Sequence, residues 1–156
     1  MKFIVDSNVG RLARWLRIAG FDTMFINDLD DNRLVRLALS EGRVLLTKDT
    51  QILKRRVATT GRLKVILIES EEGKAQLRQV VKALNLGDKI KPFTLCLECN
   101  QPLVLSEKED VKELVPPYIF QTQTQYMQCP ACQRVYWRGT HWQRMSRELE
   151  KIVSTS

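Results

Sequence analysis

The chain has 156 residues, 44% of them hydrophobic, and a net charge of +7 with a pI near 9.4, which suits one domain of ordinary size or a small domain with an appendage. No stretch is long and apolar enough to span a bilayer, and Asp6 interrupts the only apolar run at the amino terminus, so no signal peptide or membrane partner is expected and a cytoplasmic protein is the default. The basic balance favours a polyanionic partner such as nucleic acid, and all four cysteines fall in two Cys-x-x-Cys pairs, leaving none for a disulfide framework.

Phe3-Ile4-Val5 reads as a buried strand that ends on an acid, Asp6. Open α/β sheets place ligands at the carboxyl ends of their strands, so Asp6 is a candidate ligand for a divalent metal; capping of the next helix is the plainer alternative. That helix runs from Val9 to about Ala19, with Gly20 placed to end it. Arg11, Arg14 and Arg17 share one of its sides, either as a solvated face or as a stripe of bidentate phosphate donors. Asp22 to Asn27 reads as a second strand, and Asp28-Leu29-Asp30-Asp31-Asn32 as a carboxylate-rich turn in which Asp30 or Asp31 caps a helix that stops near Gly42.

Arg43 to Thr47 is the third strand, and it too finishes on an acid, Asp49. Parallel strands would bring Asp6 and Asp49 out on the same rim. A short basic helix over 50–58, a fourth strand over 64–68 and a helix over 71–84 complete the alternation expected of a mostly parallel sheet flanked by helices. Gly87 to Pro92 reads as a linker, which divides the chain into 1–91 and 92–156.

Beyond Pro92 the alternation stops. Cys96 and Cys99, with Cys129 and Cys132 after a hairpin insertion, supply the four thiolates of a closed, structural zinc site; redox pairs are the alternative. Val115-Pro116-Pro117-Tyr118 reads as a stiff extended piece. Arg134 to Trp142 interleaves aromatics and cations, as single-stranded nucleic-acid binders do, although Tyr136 and Trp137 also suit packing of the ribbon against the sheet. His141 is expected to make a structural hydrogen bond, with phosphate contact as the alternative, and residues 141–152 form a closing helix.

Taken in order, Phe3-Ile4-Val5-Asp6, Gly10 to Arg17 with Gly20, Gly42 to Asp49, Gln76-Leu77, Cys96 to Asn100 and Tyr136 to His141 resemble the PIN-like ribonucleases, and within them the Mut-seven C-terminal ribonuclease family. The resemblance implies an α/β fold: a PIN-like, mostly parallel sheet flanked by helices, then a small β-rich zinc ribbon and a C-terminal helix. It implies hydrolysis of RNA phosphodiesters with Mg²⁺ or Mn²⁺, leaving a 5′-phosphate and a 3′-hydroxyl. Asp6 and Asp49 match the family's acids directly. The resemblance favours Asp31 as the middle acid, with Asp30 close behind, and leaves a further acid to Glu69 or Glu71.

The leading expectation is thus a metal-dependent ribonuclease. Asp6, Asp31 and Asp49 are both catalytic and metal-ligating, Arg11, Arg14 and Lys48 contact substrate, Asn8 is a neutral addition to the metal shell, and Cys96, Cys99, Cys129 and Cys132 hold structural zinc. RNA is the expected partner, with a homo-oligomer or a regulatory protein left open. The alternative is a catalytically idle RNA-binding adaptor.

Overall fold

Phe3, Ile4 and Val5 are each at most 1% exposed, as a strand held between two helical layers requires. They lie in β1 (Lys2–Val5), which shares a sheet with β2 (Asp22–Phe25), β3 (Val44–Thr47) and β4 (Val65–Leu67). The computed structural model describes residues 1–155. In it the sheet has the order β2-β1-β3-β4, and every neighbouring pair is parallel. Its connections contain α1 (Gly10–Ile18), α2 (Asp31–Glu41), α3 (Thr50–Leu53) and α4 (Arg56–Thr59), and α5 (Gly73–Leu84) follows β4.

Side chains alternate along the strands. Phe3, Val5, Val44 and Leu46 join one core with Leu12 and Leu16 of α1 and Leu77 and Val80 of α5. Ile4 and Leu45 face the other way, toward Leu34 and Ala38 of α2 and Ile52 of α3. The strand order explains this division. The chain leaves β1 toward one edge and β3 toward the other, and right-handed crossovers in opposite directions put their helices on opposite faces.

The helices stop where the chain must turn. Gly42 ends α2 in the left-handed region at φ 63. Gly20, at φ 93, lies so near the Lys91 carbonyl that any side chain would collide with it. That approach also corrects the reading of 87–92 as a plain linker. After a 3-10 turn at Gly87–Lys89, the Lys91 and Phe93 N–H groups donate to the Ala19 and Ile18 carbonyls at 2.9 and 3.2 Å, satisfying acceptors at the end of α1. The basic stretch over 50–58 is likewise two short helices, interrupted because Arg55 is extended (φ -64, ψ 146).

The second half forms an antiparallel sheet of β5 (Val104–Ser106), β6 (Tyr126–Gln128) and β7 (Val135–Trp137), in that order. The insertion between the cysteine pairs is more than a hairpin: it holds a 3-10 segment (Lys108–Leu114) and α6 (Pro117–Thr122) around a small core of Val111, Val115, Ile119 and Tyr126. Val115 and Pro116 of the expected stiff segment are extended, at φ -127, ψ 156 and φ -59, ψ 147. Pro117 opens α6, where its missing N–H leaves no helical bond unmade. The last helix, α7 (Thr140–Thr155), returns to the first half, where Leu149 and Ile152 are buried in the core with α1 and α5.

Two side chains bind the ribbon to β2, an edge strand. Arg17 is 9% exposed; its Nε and Nη2 donate to the Thr23 carbonyl at 3.0 and 2.9 Å and its Nη1 to the Leu97 carbonyl at 2.9 Å. Asn100 Oδ1 accepts the Thr23 N–H at 2.9 Å while its Nδ2 donates to Asp22 Oδ1 at 2.7 Å. Arg17 therefore faces inward and is no part of a phosphate stripe.

Candidate metal and ribonuclease site

The neighbours β1 and β3 are the point at which the winding of the sheet reverses, and both deliver an acid at their carboxyl ends. Such a reversal opens a crevice there, because the following loops diverge. Asp6 sits at its base, 8% exposed. Its Oδ1 accepts the Ser7 N–H at 2.8 Å and its Oδ2 the Thr47 hydroxyl at 2.7 Å. Thr47 Oγ1 in turn accepts the Asp49 N–H at 3.0 Å, so one buried hydroxyl aligns both acids. Asp49 also caps α3, its Oδ1 accepting the Gln51 N–H at 2.9 Å.

The pair Asp30 and Asp31 divides its work. Asp30 is the cap of α2, accepting the Arg33 N–H at 2.9 Å. Asp31, the first residue of that helix, is free to turn toward the crevice. Burial, the charges of Asp49 and Asp6 and a hydrogen bond with Asp49 push its carboxyl above the usual range, against a smaller opposing pull from Arg55. Asp31 is thus near enough to Asp6 and Asp49 to feel their charge, while Asp30 is spent on its cap; among the described residues only the four cysteines gather their ligand atoms within 4.8 Å of one another. Among the described residues, none of Asp6, Asp31 and Asp49 forms a salt bridge.

The remaining candidates lie on several elements. Asn8 is exposed and its Oδ1 accepts the Lys48 N–H at 3.3 Å, which ties the loops after β1 and β3 together. Lys48 is ion-paired with Glu71, and Arg14 with Glu98 at 3.0 Å. Arg11 is exposed at the start of α1. Glu69 is also exposed, its N–H bound to Gln79. His141 is exposed and, among the described residues, makes no hydrogen bond, contrary to expectation; it sits in the open first turn of α7.

Two residues escaped the sequence reading. Thr47 is fully buried at the end of an otherwise apolar strand, and a hydroxyl there, just before an acid, was the available signal. Arg55 donates to Asn32 Oδ1 at 2.8 Å beside Asp31, across a separation in sequence that no local pattern reveals.

The cysteines form the second centre. One ligand sulfur from each of Cys96, Cys99, Cys129 and Cys132 lies within 4.8 Å of all the others, and none is in a disulfide. Cys96 and Cys132 Sγ are 3.7 Å apart, close to the roughly 3.8 Å edge of a tetrahedron with Zn–S bonds of about 2.3 Å. The Tyr136 hydroxyl accepts the Leu97 N–H at 3.2 Å and lies 3.2 Å from Cys96 Sγ, where its proton can serve the sulfur. The Arg134 N–H pulls the Cys132 thiol down to about 6, whereas the hydrogen bond to Cys132 pushes Cys99 up to about 12. Four thiolates at this spacing require a cation among them, and the donor set fits zinc.

A parallel α/β sheet with acids at its winding reversal, joined to a four-cysteine ribbon, defines an α/β protein with a ribbon appendage. Its sequence matches the Mut7-C RNAse domain over residues 1–149, and the chain belongs to that family. The family points to a ribonuclease, and so to a hydrolase with RNA as substrate. No curated protein and no solved structure gives a significant match. Among the described residues no helix is long and apolar enough to cross a membrane.

Proposed function

We propose that this protein is a PIN-like, metal-dependent ribonuclease that hydrolyses RNA phosphodiester bonds at Asp6, Asp31 and Asp49, with its ribbon assisting RNA binding. The observation supporting this reading is the hydrogen-bonded run from Asp6 through Thr47 to Asp49 at the winding reversal, with no salt bridge to either acid among the described residues. The donor set is all oxygen, which suits a hard cation such as Mg²⁺ or Mn²⁺. Bound there, such a cation supplies Lewis-acid activation of water and phosphate.

The chain's own residues do the positioning. Thr47 holds Asp6 in one orientation, and the cap on α3 holds Asp49. Arg11, Arg14 and Lys48 surround the approach to the crevice and are the proposed phosphate contacts. Lys48 and Arg14 must exchange Glu71 and Glu98 for phosphate. Those glutamate side chains are 91% and 47% exposed, and exposed ion pairs are worth only about 0–1 kcal/mol, so the exchange is cheap.

The test is Mn²⁺-supplemented cleavage of assorted RNAs by the wild type, Asp6→Asn and Asp49→Asn. The expected result is metal-dependent cleavage that falls at least about a hundredfold in each variant. One observation favours the second reading, an idle RNA-binding adaptor: Glu71, a candidate for the further acid, is engaged with Lys48. Salt-sensitive RNA binding with no Mn²⁺-dependent cleavage is the outcome that selects it.

A further inference from the structure

The carboxylate crevice is not the only concave surface. A cavity of about 530 Å³ opens on the other side of the ribbon seam, between α6, β7 and the start of α7. Its walls include Tyr118, Trp137 and Trp142, with Arg14, Arg138 and His141 among them. Tyr118 is 66% exposed, although a ring of that size is normally packed against something. Trp142 is held at a fixed tilt by Phe93, with ring centroids 5.1 Å apart, and carries the Arg138 guanidinium 5.1 Å from its own centroid.

We propose that this cavity receives unpaired bases of single-stranded RNA, stacked on Tyr118 and the tryptophans, with Arg14, Arg138 and His141 meeting the adjoining phosphates. Aromatic faces interleaved with cations are the chemistry such a strand selects, because every base presents a π-face and every linkage a charge. An apolar protein segment would have no use for two arginines around the cavity, and the chain's net charge of +7 suits a polyanion. The cavity is also placed to serve the crevice. Arg14 lies on α1, which begins four residues after Asp6, and the exposed Arg11 is one turn nearer to Asp6. The inference rests on the ribonuclease reading for the purpose of the cavity, but not for its occupancy.

The experiment measures binding of a fluorescein-labelled ten-residue single-stranded oligoribonucleotide to the full chain carrying Asp6→Asn, with zinc in place and no Mg²⁺ or Mn²⁺ added. Tyr118→Ala and Arg138→Ala, both at exposed positions, are each expected to raise Kd about fivefold to a hundredfold, with Tyr118→Phe restoring it. An oligonucleotide made abasic throughout should bind the Tyr118 and Tyr118→Ala proteins alike. An unchanged Kd in both alanine variants, the result expected of a cavity reserved for a protein segment, overturns the proposal, as does equal affinity for fully duplex RNA. Because binding is read without cleavage, the two readings fail separately. Stacking-dependent binding by a chain whose wild type never cleaves sinks the nuclease alone, while cleavage with no effect of the alanine variants on Kd sinks the cavity alone.

Discussion

Asp30 and Asp31 are chemically identical neighbours with different tasks, set by the geometry of one helix start. The cap position spends its carboxylate on the backbone of α2, and the next residue, already helical, has its own within reach of Asp49. If the proposed site holds, Asp31 is repelled by Asp6 and Asp49 until a cation joins them. Asp31→Asn is therefore expected to abolish cleavage while raising the melting temperature of the protein by roughly 1–2 °C when no divalent cation is added, measured by calorimetry. A fall in melting temperature would show that Asp31 has a stabilising partner instead. Thr47 is a sharper probe. Thr47→Val keeps the shape and removes the hydroxyl that aligns Asp6 and Asp49. Loss of a group that orients a metal ligand typically lowers metal affinity or activity about tenfold to a hundredfold, and the Mn²⁺ dependence of cleavage would register it.

At the scale of elements, the edge strand β2 depends on partners from far along the chain. Asp22 accepts from Arg43 at 2.8 Å and from Asn100 at 2.7 Å. Burial by itself would raise the Asp22 carboxyl, but the hydrogen bonds from Arg43 and Asn100 outweigh it and hold the group below its usual range. Because its folded pKa is depressed, the stabilisation is complete above the ordinary carboxylate range and is lost as pH falls through the lowered value. Urea unfolding across that acidic window should show the wild type losing about 1 kcal/mol relative to Asp22→Asn, the side chain being partly exposed.

These contacts also explain what could be read in advance. The parallel sheet, its four strands and the acids after β1 and β3 follow from short apolar runs that end in polar residues, a local signal. The cluster of four cysteines was equally legible, since their spacing suits a zinc site. Arg17 was not, because its stripe with Arg11 and Arg14 looks the same whether it meets water or the carbonyls of Thr23 and Leu97. Nor was the anchoring of the stretch after Gly87, where Lys91 and Phe93 bond to the carbonyls at the end of α1. Both depend on what lies opposite in space.

At the scale of the whole molecule, the ribbon is an independent source of order. Its own cores are small, and the four sulfurs centre one of them. One zinc per chain is expected by atomic absorption, and its removal with a chelator should lower the melting temperature by at least about 5 °C and loosen the contacts of Leu97 with Arg17 and of Asn100 with β2. A melt indifferent to chelation would mean that the sulfurs hold nothing.

The return of α7 to the first core has a consequence for biosynthesis. When the elements through α5 have emerged from the ribosome, the apolar surfaces that later meet Leu149 and Ile152 still face water. A nascent chain of that length holds every acid of the crevice but not the helix that closes the core behind them. Completion of the first core is thereby deferred until translation has passed through the ribbon, and a message truncated within the ribbon is expected to yield a product exposed to proteolysis.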